Sequence, residues 1–121
     1  MRNLVHIVNG NMMAGAQQYA LDICRYYKER GWNVFALTKG AHAIDAKFIA
    51  CGIKVTHAPL RGFLDFTSAL RVARFIRNLP KGETIIHAHR YRDAYTATLA
   101  RWIAKRQDVK IVATRHAVRK G

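Results

Sequence analysis

The chain opens on a short β-branched run, Leu4-Val5-His6-Ile7-Val8, closed by Asn9-Gly10. A run of that length, bounded by a turn pair, predicts a buried strand. The period then changes. Ala16, Ala20, Ile23 and Tyr27 recur at helical spacing, with Gln18, Asp22, Arg25 and Glu29 on the wetter side. Gly31, after a basic last turn, ends that helix. Asn33–Thr38 predicts a second strand, Ile44–Ala50 a weaker helix stopping at Gly52, and Ile53–His57 a third strand. Phe66–Leu79 restores the helical period, with Phe66, Ala69, Leu70, Ala73 and Ile76 inward and Arg71, Arg74 and Arg77 outward. Pro80-Lys81-Gly82 breaks it. Thr84–His89 predicts a fourth strand, Arg92–Lys105 a helix and Lys110–Thr114 a fifth strand.

Strands and helices that alternate in this way predict an α/β fold. The expected architecture is a Rossmann-like parallel sheet of about five strands, with helices on both faces and right-handed crossovers. Residues 1–121 read as a single domain, without repeats, low-complexity tracts or a Ser/Pro-rich linker. Ligands of such sheets bind outside the carboxyl ends of the strands. The loops 9–15, 89–92 and 115–121 are therefore where chemistry is expected. A fifth strand left as an open edge points to part of something larger.

Composition narrows the partners. Of 121 residues half are hydrophobic, enough for a real core. The net charge is +14. Residues 1–60 contribute 7 bases and 3 acids, whereas 61–121 contribute 14 and 4. Such a surface attracts anions: nucleic acid, anionic lipid headgroups or phosphorylated small molecules. The two cysteines, Cys24 and Cys51, form no CxxC pair and no disulfide framework, which suits a reducing compartment. No run approaches the length of a membrane span and the N-terminus has no signal-peptide pattern. A cytoplasmic location is the expectation, with or without peripheral contact at the inner face of a membrane.

The first loop, Gly10-Asn11-Met12-Met13-Ala14-Gly15-Ala16-Gln17, has the glycine spacing of a phosphate-binding P-loop. Ala16 and Gln17 replace its lysine and hydroxyl residue, so nucleotide hydrolysis is disfavoured. A dinucleotide site is disfavoured too, because strand two ends in Thr38-Lys39 rather than an acid. What survives is a small-residue loop entering a helix N-terminus, where backbone amides can hold an anion. The plain alternative is that both glycines serve only the strand-to-helix turn. Met12-Met13 forms either an apolar lip or a cap on the core.

His87 and His89 lie two apart on a strand and so face one side, with His116 beyond the neighbouring strand. Three histidines suggest zinc, but Asp93 is the one nearby acid and no cysteine is close, so no metal site is expected. His87 is expected as a packed polar residue, and His6, His42 (in a loop) and His57 likewise. Arg90, Arg92 and Arg115 crowd the same edge, with Arg119 and Lys120 beyond, and guanidinium forks suit phosphate or carboxylate. Arg71, Arg74 and Arg77 are expected on a solvated face, and Cys24 as a small buried hydrophobe.

Taken in order, several of these segments resemble the N-terminal half of family-four, retaining glycosyltransferases of the GT-B fold. They are the strand Leu4–Val8, the loop and helix Ala14–Leu21, Arg30-Gly31-Trp32-Asn33-Val34, Ile85-Ile86-His87-Ala88-His89 and Ile111-Val112-Ala113-Thr114-Arg115-His116. The resemblance runs over essentially the whole chain. It implies sugar transfer from a nucleotide-sugar donor to a glycan or lipid-linked acceptor, with retained anomeric configuration. A role in bacterial surface polysaccharide or lipopolysaccharide synthesis goes with it.

By position, His116 would be the catalytic residue facing the donor sugar and His89 would line the acceptor side. Gly10 and Gly15 would approach donor phosphates or acceptor, with Arg90 and Arg115 as further substrate-binding residues. No resident cofactor is implied, since the nucleotide sugar is a co-substrate. The family typically has Gly-Gly where this chain has Ala14-Gly15. Its C-terminal half, with paired glutamates and a basic residue for the diphosphate, is missing. The 121 residues are therefore expected to be inactive alone. An anionic membrane surface fits the charge as a partner. A small nucleic-acid-binding module is the principal alternative, with the charge but no recognisable reading element. A hydrolase using His87, His89 and His116 on a metal is the third.

Overall fold

The computed structural model describes residues 2–60, 66–79, 82–88, 91–106 and 108–113. Its elements run β1 (Asn3–Val8), α1 (Gly15–Glu29), β2 (Asn33–Thr38), α2 (His42–Ala50), β3 (Lys54–His57), α3 (Phe66–Arg77), β4 (Thr84–Ala88), α4 (Tyr91–Ala104) and β5 (Val109–Ala113). All five strands join one sheet in the order β3-β2-β1-β4-β5, every pairing parallel. That is the expected Rossmann-like α/β arrangement. Element bounds shift by a residue or two, and His42 opens α2 instead of sitting in a loop.

The alternation of side chains along the strands divides the core in two. Val5, Ile7, Leu37, Ile86 and Val109 face α3 and α4. Leu4, Val8, Val34 and Ala36 face α1 and α2, with Phe48 and Ile44 at the centre of that layer. β1 is buried along its whole length, as a central parallel strand should be. At its start the Asn3 amide donates to Thr84 Oγ1 (3.1 Å) and its carbonyl accepts from Asn33 (3.1 Å), which fixes the register of three strands. On the α1 side, β4 and β5 carry no helix among the described residues. A groove of about 590 Å³ lies there, lined by Leu4, Ile23, Tyr27, Ile85, His87 and Val112.

Two helices are rotated from the sequence expectation. In α1 the deepest positions are Ala20, Leu21 and Cys24, with Ile23 and Tyr27 at the flank. In α3, Ser68, Ala69, Val72, Ala73 and Ile76 are buried, while Phe66 and Leu70 are exposed. Their inward assignment is therefore corrected. The cause is a polar demand: Ser68 Oγ accepts the backbone N–H of Leu60 at 2.7 Å. Leaving that buried N–H unpaired would cost about 1–3 kcal/mol, and the same rotation buries Val72 beside Ala69, Ala73 and Ile76.

Cys24 is the small buried hydrophobe expected of it. Burial pushes its thiol up from an ordinary value near 9 to about 12. Because the folded state holds the proton more tightly, this stabilisation is intact below pH 9. It is lost as pH rises from 9 towards 12, at up to ~1.4 kcal/mol per pH unit. Alkaline unfolding of Cys24→Ala is expected to depend less steeply on pH over that window than that of the parent. At pH 8, iodoacetamide should label half-exposed Cys51 in the native protein and reach Cys24 only after unfolding; equal labelling would contradict this burial.

Candidate functional site

The sheet order creates one crevice at the carboxyl ends of its strands. From β1 the chain turns to α1 on one face, and from β4 it turns to α4 on the other. The two exits diverge and leave a gap between them, the usual ligand position in an open α/β sheet. The loop after β1 forms one side of that gap.

Side chains from distant segments fasten this loop. The Asn9 amide donates to the carbonyl of Leu60 (3.1 Å) and to Asp93 Oδ1 (3.2 Å). Asp93 is buried in the first turn of α4, where a carboxylate also suits the helix dipole. Leu60 is held in the left-handed region at φ 52°, its carbonyl on Asn9 and its N–H on Ser68. The ends of β1, the β3–α3 connection and α4 are thereby stitched together. Gln17 completes the loop. Its Nε2 donates to the Asn9 carbonyl (2.8 Å) while its Oε1 accepts from the Ala14 N–H (3.1 Å). The residue standing where a P-loop has its hydroxyl thus serves to shape the turn.

The two glycines differ in kind. Gly10 sits at φ 133°, and a Cβ there would come within 2.5 Å of Gln17 Nε2. This glycine is a requirement of the turn. Gly15 is the first residue of α1, has no positive φ, and a Cβ there would meet no atom within 4 Å. The fold places no demand on it. Ala14 supplies no side-chain cap and the first turn of α1 contains no acid, so the amides there stand at the positive end of the helix dipole without a capping side chain or a countercharge on the helix. The methionine pair divides: Met12 is exposed, and Met13 packs into the α1–α2 core layer.

His87 points the other way. It pairs in register with His6, and the two rings stack at 4.4 Å on the α1 side of the sheet. It is a packed polar side chain beside the groove and away from the crevice. His57 is the exposed last residue of β3, paired in register with Thr38 of β2, its Nε2 2.7 Å from Asp45, whose other oxygen accepts from Thr38 Oγ1 at 2.7 Å. Among the described residues no three His, Cys, Asp or Glu side chains converge on a metal position. His89, Arg90, Arg115 and His116 lie outside the described residues, as does the side chain of Arg92.

Asn9, Gln17, Leu60, Ser68 and Asp93 were not singled out as a set by sequence reasoning. The available hints were an asparagine between strand and glycine, and a lone aspartate in a helix's first turn.

Comparison with known proteins decides the family. The family model described as Glycosyltransferase Family 4 matches residues 13–120. The chain belongs to that family. The matched span begins in the glycine loop and takes in every later element, so the family-four pattern covers α1 to β5. Among solved structures, a glycosyltransferase from Rickettsia africae ESF-5 superimposes with a TM-score of 0.72 at 18% identity. The alignment covers 98% of this family-four chain and 31% of that one, so the chain spans about a third of its neighbour's length. No curated protein matches it.

Proposed function

We propose that this family-four chain is the acceptor-side, N-terminal part of a retaining glycosyltransferase. The reaction moves a sugar from a nucleotide-sugar donor to a glycan or lipid-linked acceptor. The anomeric C–O bond to the diphosphate breaks and a bond to an acceptor hydroxyl forms on the same face. The acceptor hydroxyl loses a proton and the nucleoside diphosphate departs with the bonding electrons. The observation that carries the reading is the open N-terminus of α1 at Gly15, beside the β1–β4 gap, within a span matched by the family model. Amides at such an end stabilise negative charge on phosphate or on a developing alkoxide.

In this reading Gly10 shapes the loop, Gly15 lets a ligand approach, and His116 faces the donor sugar. His89, Arg90 and Arg115 line the substrate side. The nucleotide sugar is a co-substrate, and the nucleotide is held mainly by a second α/β half. Surface polysaccharide or lipopolysaccharide synthesis at the cytoplasmic face of a membrane is the setting that the basic charge favours.

Because the leaving group is stabilised by the second half, the 121 residues alone should release no nucleoside diphosphate from UDP-, GDP- or ADP-sugars. A polypeptide joining this chain to a nucleotide-sugar half should do so. Turnover by the isolated chain would refute this division of labour.

A further inference from the structure

α3 and α4 lie side by side on one face of the sheet, and their outward surfaces differ from the rest of the molecule. α1 presents Asp22, Arg25, Lys28 and Glu29 to solvent, the mixed-sign pattern of an ordinary solvated helix. α3 and α4 present Arg71, Arg74, Arg77, Arg101 and Lys105. Among the described residues no acid accompanies them on either helix's outer side: Asp93 is buried on Asn9, and Asp108 beyond α4 is engaged with Arg106 at 2.7 Å. Between these cations stand large apolar side chains that the fold does not use. Trp102 is 77% exposed, Leu70 58% and Phe66 56%. A recess of about 670 Å³ beside Trp102 is bounded by Arg101 and Lys105, with Ile103 and Thr98 completing it.

We infer that the α3–α4 surface docks the protein on an anionic lipid bilayer. Trp102, Leu70 and Phe66 enter the boundary between headgroups and acyl chains, and the five cations meet headgroup phosphates. This combination of one-sign charge and interleaved aromatic and aliphatic residues is that of an interfacial surface. No described helix is long and apolar enough to cross a membrane, so the contact is made from the surface. Nucleic acid fits less well. Phosphate contacts use cations without exposed leucine, and single strands stack on aromatics along a charged groove. The inference deepens the proposed function and rests on it for the acceptor's location. The docking itself requires neither donor nor acceptor, so its failure leaves transferase activity to be judged separately.

The chain has two tryptophans, and Trp32 is packed edge-on against Tyr27 at 4.9 Å. Trp32→Phe therefore makes Trp102 the sole indole reporter. With phosphatidylcholine vesicles containing about one-third phosphatidylglycerol, its emission should shift to the blue and acrylamide quenching should fall several-fold; pure phosphatidylcholine should produce neither. Arg74→Glu/Arg101→Glu should lower vesicle partitioning by about tenfold or more, whereas Lys28→Glu/Lys47→Glu on the other face should leave it within about twofold. Circular dichroism checks that both variants fold. Equal losses in the two variants would overturn the assignment of this face. So would bound protein whose Trp102 is still fully quenched, or salt-sensitive binding to random DNA with none to vesicles.

Discussion

Gly10→Ala is expected to destabilise the domain by about 3–5 kcal/mol, measured by urea unfolding. Two costs combine. An L residue at φ 133° is strained by about 1–3 kcal/mol. The new methyl group also meets Gln17 Nε2, 2.5 Å from the Cβ position. Gln17 is long enough to swing away, but it would then release both the Asn9 carbonyl and the Ala14 N–H. Each lost hydrogen bond adds about 1 kcal/mol. Removing the obstacle with Gln17→Ala should not restore stability, because the backbone strain persists and the two bonds are already gone. A Gly10→Ala protein with unchanged unfolding midpoint would show that this turn is not held as described.

The Asn9 latch holds this loop at the carboxyl end of the central strand β1. Its partners are 51 and 84 residues away in sequence. No local pattern announces such a contact. The order of strands and helices, by contrast, was legible because the hydrophobic period changes at each junction: β1 as a short β-branched run interrupted by His6, α1 at helical spacing, then β2. The parallel sheet follows from that alternation, whereas which helices share a face depends on the strand order β3-β2-β1-β4-β5, which the sequence does not announce.

Where reading from sequence went wrong, a polar requirement had displaced an apolar preference. Leu70 and Phe66 fit an inward stripe on α3, but Leu60 needs Ser68 for its N–H, and the helix turns to supply it. The rotation is also what leaves a leucine and a phenylalanine among arginines on the outer surface. For the site, the glycine loop and its helix were legible by spacing alone. That one glycine is structural and the other is not required by the fold depends on φ and on Gln17, neither of which spacing reveals.

That difference supplies the second large effect. Gly15→Ala adds one methyl group at the first position of α1, into open space and at an ordinary backbone conformation. Alanine is also the better helix former, so stability should stay level or rise by a few tenths of a kcal/mol. The methyl group nevertheless stands where a phosphate or acceptor oxygen must approach the amides of the first turn. Loss of one such electrostatic contact costs a rate factor of about 10², or ~2.7 kcal/mol in the transition state.

The most direct test is therefore nucleoside diphosphate release by a polypeptide that joins this chain to a nucleotide-sugar half, with and without Gly15→Ala. The predicted result is an unfolding midpoint no lower than that of the parent, with turnover reduced by about a hundredfold. Full turnover in the alanine variant would contradict the assignment of the β1–β4 gap as a wall of the transferase crevice.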